Sequence, residues 1–230
     1  MRHELAHSVH RVEGSGIVPS LLKVLPLAIV MVAGPQIISA IFLATSEKWQ
    51  KNSAAFLAGV LLTVTFFVTV AYVLVRVLFD AAGASNKATT GKWLDIVLLL
   101  LLVVAGTHKY LSRKTSKPPK WMGKLEEATP KSSFRLGLLL LGVFPTDIIT
   151  SVVVGSTLAR SADPWWYCIP FVLLTVLFEA VPVLFVLLLG KRAAVILPKV
   201  RDWMNTNSWI VSEVVIVFFI VLEINNLIGS

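Results

Sequence analysis

Two apolar stretches of this chain are interrupted by the same short pattern, one in each half of the sequence. Residues 17–44 carry Gly34-Pro35-Gln36-Ile37-Ile38-Ser39, and residues 134–158 carry Phe144-Pro145-Thr146-Asp147-Ile148-Ile149-Thr150. Each pattern sets a proline, a hydrogen-bonding side chain, two isoleucines and a hydroxyl in the middle of an apolar run. Proline cannot donate to the helix ladder and frees the carbonyl one turn earlier, here near Met31 and Leu141. In hydrocarbon such a defect persists only where protein groups or a water-lined cavity satisfy what has been freed. Matching interruptions in the two halves of a membrane protein point to a transporter's midplane binding site. Gly34, Pro35, Pro145 and, in a later apolar run, Pro182 are therefore the expected helix breaks.

The remainder of the chain reads as a polytopic membrane protein. Of its 230 residues, 56% are hydrophobic and only 15% charged, and the charge gathers in short stretches between apolar blocks. The first block is too long for a signal-peptide core and lacks a small-residue cleavage site, so it is expected to be retained. Six transmembrane helices are expected, over about 17–44, 53–79, 93–110, 134–158, 165–189 and 208–228. The single cysteine, Cys168, excludes an intramolecular disulfide and any redox chemistry that needs a cysteine pair in one chain.

Lysine and arginine set the orientation. The loops after the first, third and fifth helices hold Lys48, Lys51, a basic run from Arg113 to Lys131, and Lys191, Arg192, Lys199 and Arg201. The opposite side holds only Arg2, Arg11, Lys87, Lys92 and Arg160. The positive-inside rule then puts the rich side in the cytoplasm and both termini outside. Trp49, Trp93, Trp165, Trp166, Trp203 and Trp209 fall at the expected interfaces. The net charge of +8 is accounted for by topology and by anionic lipid headgroups, so no nucleic-acid partner is expected.

With this topology the first and fourth helices enter from opposite faces, as an inverted 3+3 repeat requires. The expected organisation is an extracytoplasmic tail over 1–16, a three-helix repeat over 17–110, a basic linker over 111–133 and a second repeat over 134–230. Pro118, Pro119 and Gly123 mark the linker.

Asp147 and Glu179 are acids at the depth of the membrane centre, with no basic residue at comparable depth. Such a group is costly there, so it faces the interior and is either paired or protonated; its bland role is a neutral acid that packs helices. Aligning the Ile-Ile pairs matches Gln36 to Asp147 and Ser39 to Thr150, and together these could line one cavity. The alternative is that the two hydroxyls only serve carbonyls freed by proline. Thr63, Thr65, Thr69 and Tyr72 give the second helix a polar seam of the packing kind. Arg76 and Asp80, one turn apart, suit a local pair or snorkelling. Glu213 and Glu223 lie toward the ends of the sixth helix and reach polar surroundings. His3, His7 and His10 have metal-ligand spacing, but nothing forces a helix before Gly14 and Gly16, so a solvated tail and no metal are expected. No phosphate-cradling glycine loop or nucleophile elbow occurs in a fitting context, and neither an enzyme nor a cofactor is expected.

Several short blocks resemble a known group. Leu25-Pro26-Leu27-Ala28, the Gly34-Pro35 break with Ile37-Ile38, and Asn52 through Gly59 are similar to the first half of the GAP family. Val181-Pro182-Val183-Leu184, Leu189 through Ala193, and Trp203 are similar to that family's fifth helix and following loop. The family includes the glycopeptidolipid- and sulfolipid-addressing proteins and belongs to the lysine-exporter (LysE) superfamily of six-helix transporters. The resemblance implies an all-α, LysE-superfamily-like membrane protein that moves a lipid or lipid-linked molecule outward. At the second break many members look asparagine-proline-lysine-like, whereas this chain has Pro145-Thr146-Asp147, which leaves substrate identity open. The superfamily's thiol-transfer branch needs paired intramembrane cysteines, and its manganese/calcium branch needs a Glu-x-Gly-Asp-type motif in both halves. This chain has neither.

Three functions are thus in view: a lipid or glycolipid exporter, a proton-coupled exporter of a small polar solute, and a non-transporting scaffold for a lipid export machine. The expected partners are membrane lipids and a lipid or small-molecule substrate, with self-association into a homo-oligomer left open.

Overall fold

The computed structural model describes residues 24–32, 34–111, 125 and 128–207, with isolated positions at 217, 220, 221 and 224. Among the described residues all regular structure is helical. The tail with His3, His7 and His10, most of the 111–133 linker, Trp209, Glu213 and Glu223 lie outside them.

The first apolar block is two short helices, α1 (Leu27–Val32) and α2 (Pro35–Ala44). Gly34 between them has φ 135° and ψ −142°, a backbone region open only to glycine. Pro35 then starts α2 at the first helical position, where its missing N–H costs nothing. Thr45 ends α2 by bonding its hydroxyl back to the Ile41 and Phe42 carbonyls at 2.9 and 3.2 Å.

Helix α3 runs without a break over Trp49–Leu111. This differs from the two helices, 53–79 and 93–110, that the hydropathy suggests. Residues 80–92 contain no proline, and Gly83 and Gly91 disfavour helix by only about 1 kcal/mol each. At 1.5 Å per residue the 63 residues extend roughly 95 Å, about three hydrocarbon thicknesses. Residues 93–110 therefore belong to the same unbroken helix as Trp49–Ala81. Among the described residues, 17–110 show α2 and one long helix after the Gly34–Pro35 break, and the expected six-span inverted repeat is not confirmed.

A capping box opens α4 (Pro130–Val143): Thr129 and Ser132 exchange side-chain-to-backbone bonds, and Pro130 takes the first helical position. Phe144 ends it in an extended conformation, φ −73° and ψ 125°, because the residue before a proline is pushed out of the helical region. Helix α5 (Pro145–Arg160) leaves at 71° to α4. A 3₁₀ turn over Trp165–Cys168 leads into α6 (Ile169–Leu189), which ends at Gly190 with φ 53°. Pro182 is not a break: α6 continues through it. Its fixed φ is helix-compatible, so only one ladder bond is lost, and packed neighbours tolerate that in a membrane bundle. The last described helix is α7 (Ala193–Thr206), in a stretch that charge and hydropathy had marked as a loop.

The core is organised along one stripe of α3. Phe56, Val60, Val64 and Val68 repeat every four residues and are fully buried against Leu140 and Leu141 of α4, Val153, Val154 and Leu158 of α5, and Phe171 and Val172 of α6. The other face, with Leu62, Phe66, Leu74 and Val77, is exposed and apolar, as a lipid-facing surface is. Glycines set the approach of the helices. A Cβ on Gly59 would collide with the Phe134 carbonyl, one on Gly137 with the Phe56 carbonyl, and one on Gly155 with the α3 backbone at Val68 and Tyr72.

Two helices are long and apolar enough to cross a membrane, Trp49–Ala81 and Trp165–Leu189, and the bent α4–α5 pair is a third if counted as one broken span. That makes the protein a helical membrane protein with fewer described spans than the six expected. Taken separately, α1 and α2 are too short to cross, and 208–228 falls outside the described residues except for the helical positions Val217, Ile220, Val221 and Ile224.

Candidate functional site

Three contacts give the break in α4–α5 its depth. Asn52, near the start of α3, donates to the Ala128 carbonyl at 2.9 Å, and Tyr72 donates to the Asp163 carbonyl at 2.7 Å. Between these ends Gly142 lies beside Thr63 and Phe67. The chain thus climbs α4 and then the steeply tilted α5 in the same sense as α3, and Pro145 falls level with the middle of the Trp49–Ala81 span. Glu179 lies at the middle of α6, which runs the opposite way.

At this level the two interrupted segments meet. Gln36 occupies the first turn of α2 and Asp147 the first turn of α5. The Gln36 amide nitrogen donates to Asp147 Oδ2. The Glu179 carboxyl lies within electrostatic reach of Asp147, so the two repel when both are charged. Gln36, Asp147 and Glu179 are each 1% exposed. The start of α5 places the positive end of its dipole under Asp147, which favours a carboxylate there. Glu179, mid-helix, has no such support. The centre is a buried polar cluster between two half-helix N-termini and a continuous helix, inside an apolar bundle.

Ser39 and Thr150 lie one turn further along and are fully buried. Ser39 donates to the Pro35 carbonyl and Thr150 to the Thr146 carbonyl, each at 2.7 Å. These are equivalent bonds under the alignment of Gln36 with Asp147. They go to carbonyls of the half-helix itself, not to the Met31 and Leu141 carbonyls that the prolines release. The cluster is therefore Gln36, Asp147 and Glu179, with the two hydroxyls turned into their own helices. Gly34 sits directly under it: a Cβ there would lie 3.0 Å from Gln36 Oε1.

The polar seam of α3 ties helices together. Thr63 donates to the Leu138 carbonyl at 3.4 Å, and Thr69 accepts from the Trp165 indole at 2.8 Å. Arg76 lies over the Tyr72 ring, 5.9 Å from its centre. Three features escaped the sequence reading. Asn52 is fully buried and also donates to Ser46 Oγ at 2.9 Å, clasping the α2–α3 turn to the start of α4. In the sequence Asn52 stands out only as part of the Asn52–Gly59 block that resembles the family. Helix α7 packs Ala193 and Leu197 on Ile41 of α2, with Arg201 over the Phe42 ring at 4.5 Å. Lastly, an apolar groove of about 430 Å³ follows α4 from Leu125 to Phe144, lined chiefly by Leu136, Leu139, Leu140 and Val143. It ends at the break, three residues before Asp147.

Comparison with known proteins adds one finding. The family model described as "Sap, sulfolipid-1-addressing protein" matches residues 24–228. No curated protein and no solved structure matches the chain.

Proposed function

The chain belongs to the sulfolipid-1-addressing protein family, and from that membership we propose that it moves a lipid or glycolipid outward across its membrane. The observation that carries this reading is the apolar groove along α4, which rises from the Asn52 end of the bundle and stops at the Phe144 break. An acyl chain in that groove replaces one apolar neighbour by another, and its attached head group is delivered to the level of Gln36, Asp147 and Glu179. Those three line the polar part of the path in this reading, flanked by Ser39 and Thr150. The paired half-helices α1–α2 and α4–α5 supply the matched halves of the site that broken-helix transporters use.

The buried acids Asp147 and Glu179 also favour a second reading, export of a small polar solute without a lipid. The groove separates the two. Leu139 and Val143 are exposed, so Leu139→Trp and Val143→Trp fill the groove without touching the core. In cells lacking the native protein, both variants should fold and reach the membrane while surface display of the exported lipid falls toward background. Undiminished lipid display with a filled groove would sink the lipid reading.

A further inference from the structure

Among the described residues, four side-chain oxygens of the buried centre have no hydrogen-bond partner: Gln36 Oε1, Asp147 Oδ1 and both oxygens of Glu179. All four are acceptors, and the amide nitrogen of Gln36 is already directed at Asp147. Among the described residues, the helices packed around the centre supply no cation at its level. Helix α1 has no titratable residue, the stretch Thr63–Val68 of α3 beside the break has none, and the only ones facing inward from α5 and α6 at this depth are Asp147 and Glu179 themselves. The basic residues of α4, Lys131 and Arg135, lie at its far end.

The backbone points the same way. Helices α1 and α4 both end at the breaks, so the negative ends of their dipoles and the carbonyls of Met31 and Leu141, deprived of their donors by Pro35 and Pro145, lie toward the centre. Whatever completes such a cluster must bring positive charge or donors, because unpaired acceptors and uncompensated carboxylates are costly in a dry interior. It must also be small, since the three side chains are almost wholly enclosed. A divalent ion calls for six or more oxygens or a stricter octahedron. The charge of Asp147 is already partly offset by the α5 terminus and by Gln36, which leaves about one charge to balance.

We propose that Gln36, Asp147 and Glu179 form a binding site for one small monovalent cation, a sodium ion or a proton, at the meeting point of α2, α5 and α6. The idea rests on the transport reading only for its purpose, to name the ion whose passage accompanies the cargo. Binding itself is testable without transport.

The test uses the purified full-length chain in lipid nanodiscs. Its thermal midpoint is measured in sodium chloride and in choline chloride of equal ionic strength, at acid and at alkaline pH. A cation held only by the folded state stabilises it, so the midpoint should rise by several degrees in one arm. A rise with sodium at fixed pH identifies sodium; a rise on acidification in choline alone identifies the proton. Glu179→Gln and Asp147→Asn should flatten that dependence. Should either variant fail to fold, equilibrium binding of radioactive sodium to the wild type, together with its choline titration, decides the matter. A wild-type midpoint indifferent to both ions, or a dependence retained in both variants, overturns the site. Failure of the groove variants to affect lipid display bears only on the lipid reading, whereas an absent cation response bears only on this site.

Discussion

Gln36 and Asp147 stand at equivalent places in two half-helices, and one amide hydrogen bond joins them. Asp147→Asn keeps the volume and can still meet the Gln36 amide, so folded yield should stay near wild type while lipid display collapses. Full display would remove Asp147 from the path, and loss of folded protein would make it a packing residue. Gly34 is the reverse case. With φ at 135° and Gln36 Oε1 directly above, Gly34→Ala strains the backbone and displaces the amide together. Its cost should be about 1–3 kcal/mol, read as a lowered thermal midpoint in detergent. The sequence could single out these residues because proline and mid-span acids are conspicuous in apolar runs. It could not show that Gln36 touches Asp147, or that Ser39 and Thr150 spend their hydroxyls on their own helices, because those facts depend on how two segments about a hundred residues apart are docked.

At the scale of elements, the glycine contacts make the sharpest demand. Gly137→Leu forces α3 and α4 apart along their whole crossing, and overpacking of this kind costs about 3 kcal/mol. The expected result is loss of folded material on size exclusion, with Gly142→Ala, where a Cβ meets only ordinary contacts at 3.5 and 3.7 Å, as the control for glycine replacement itself. Thr129→Ala removes the capping box of α4 and should lower stability by about 1 kcal/mol without affecting lipid display. Helix type was legible from hydropathy, and the interruptions at Gly34–Pro35 and Phe144–Pro145 from proline chemistry. Three element-level features were not. Pro182 looks like a break until its neighbours hold α6 together, the weak helix-breakers of 80–92 do not stop α3, and α7 hides its apolar face among lysines and arginines. In each, local propensity is weaker than what surrounds it.

For the whole molecule, the level of each contact gives the bundle two ends. Ser46, Asn52 and Ala128 cluster at one, Tyr72, Asp163 and Trp165 at the other. From the charge asymmetry the first is expected to face the cytoplasm. Glu47 and Ser161 are exposed at opposite ends, and the native Cys168 is buried. Ser161→Cys should therefore react with an impermeant maleimide on intact cells, and Glu47→Cys only after permeabilisation; the reverse pattern would invert the topology.

The glycine crossings also divide the bundle unequally. Gly59, Gly137 and Gly155 lock α3, α4 and α5 backbone to backbone, so these three behave as one rigid wall. Helix α2 reaches that wall's polar centre with the Gln36 amide, while its Ala40 and Leu43 join the shared apolar core. Exposing Asp147 from the side of α2 therefore means parting the Gln36 amide as well as unpacking Ala40 and Leu43.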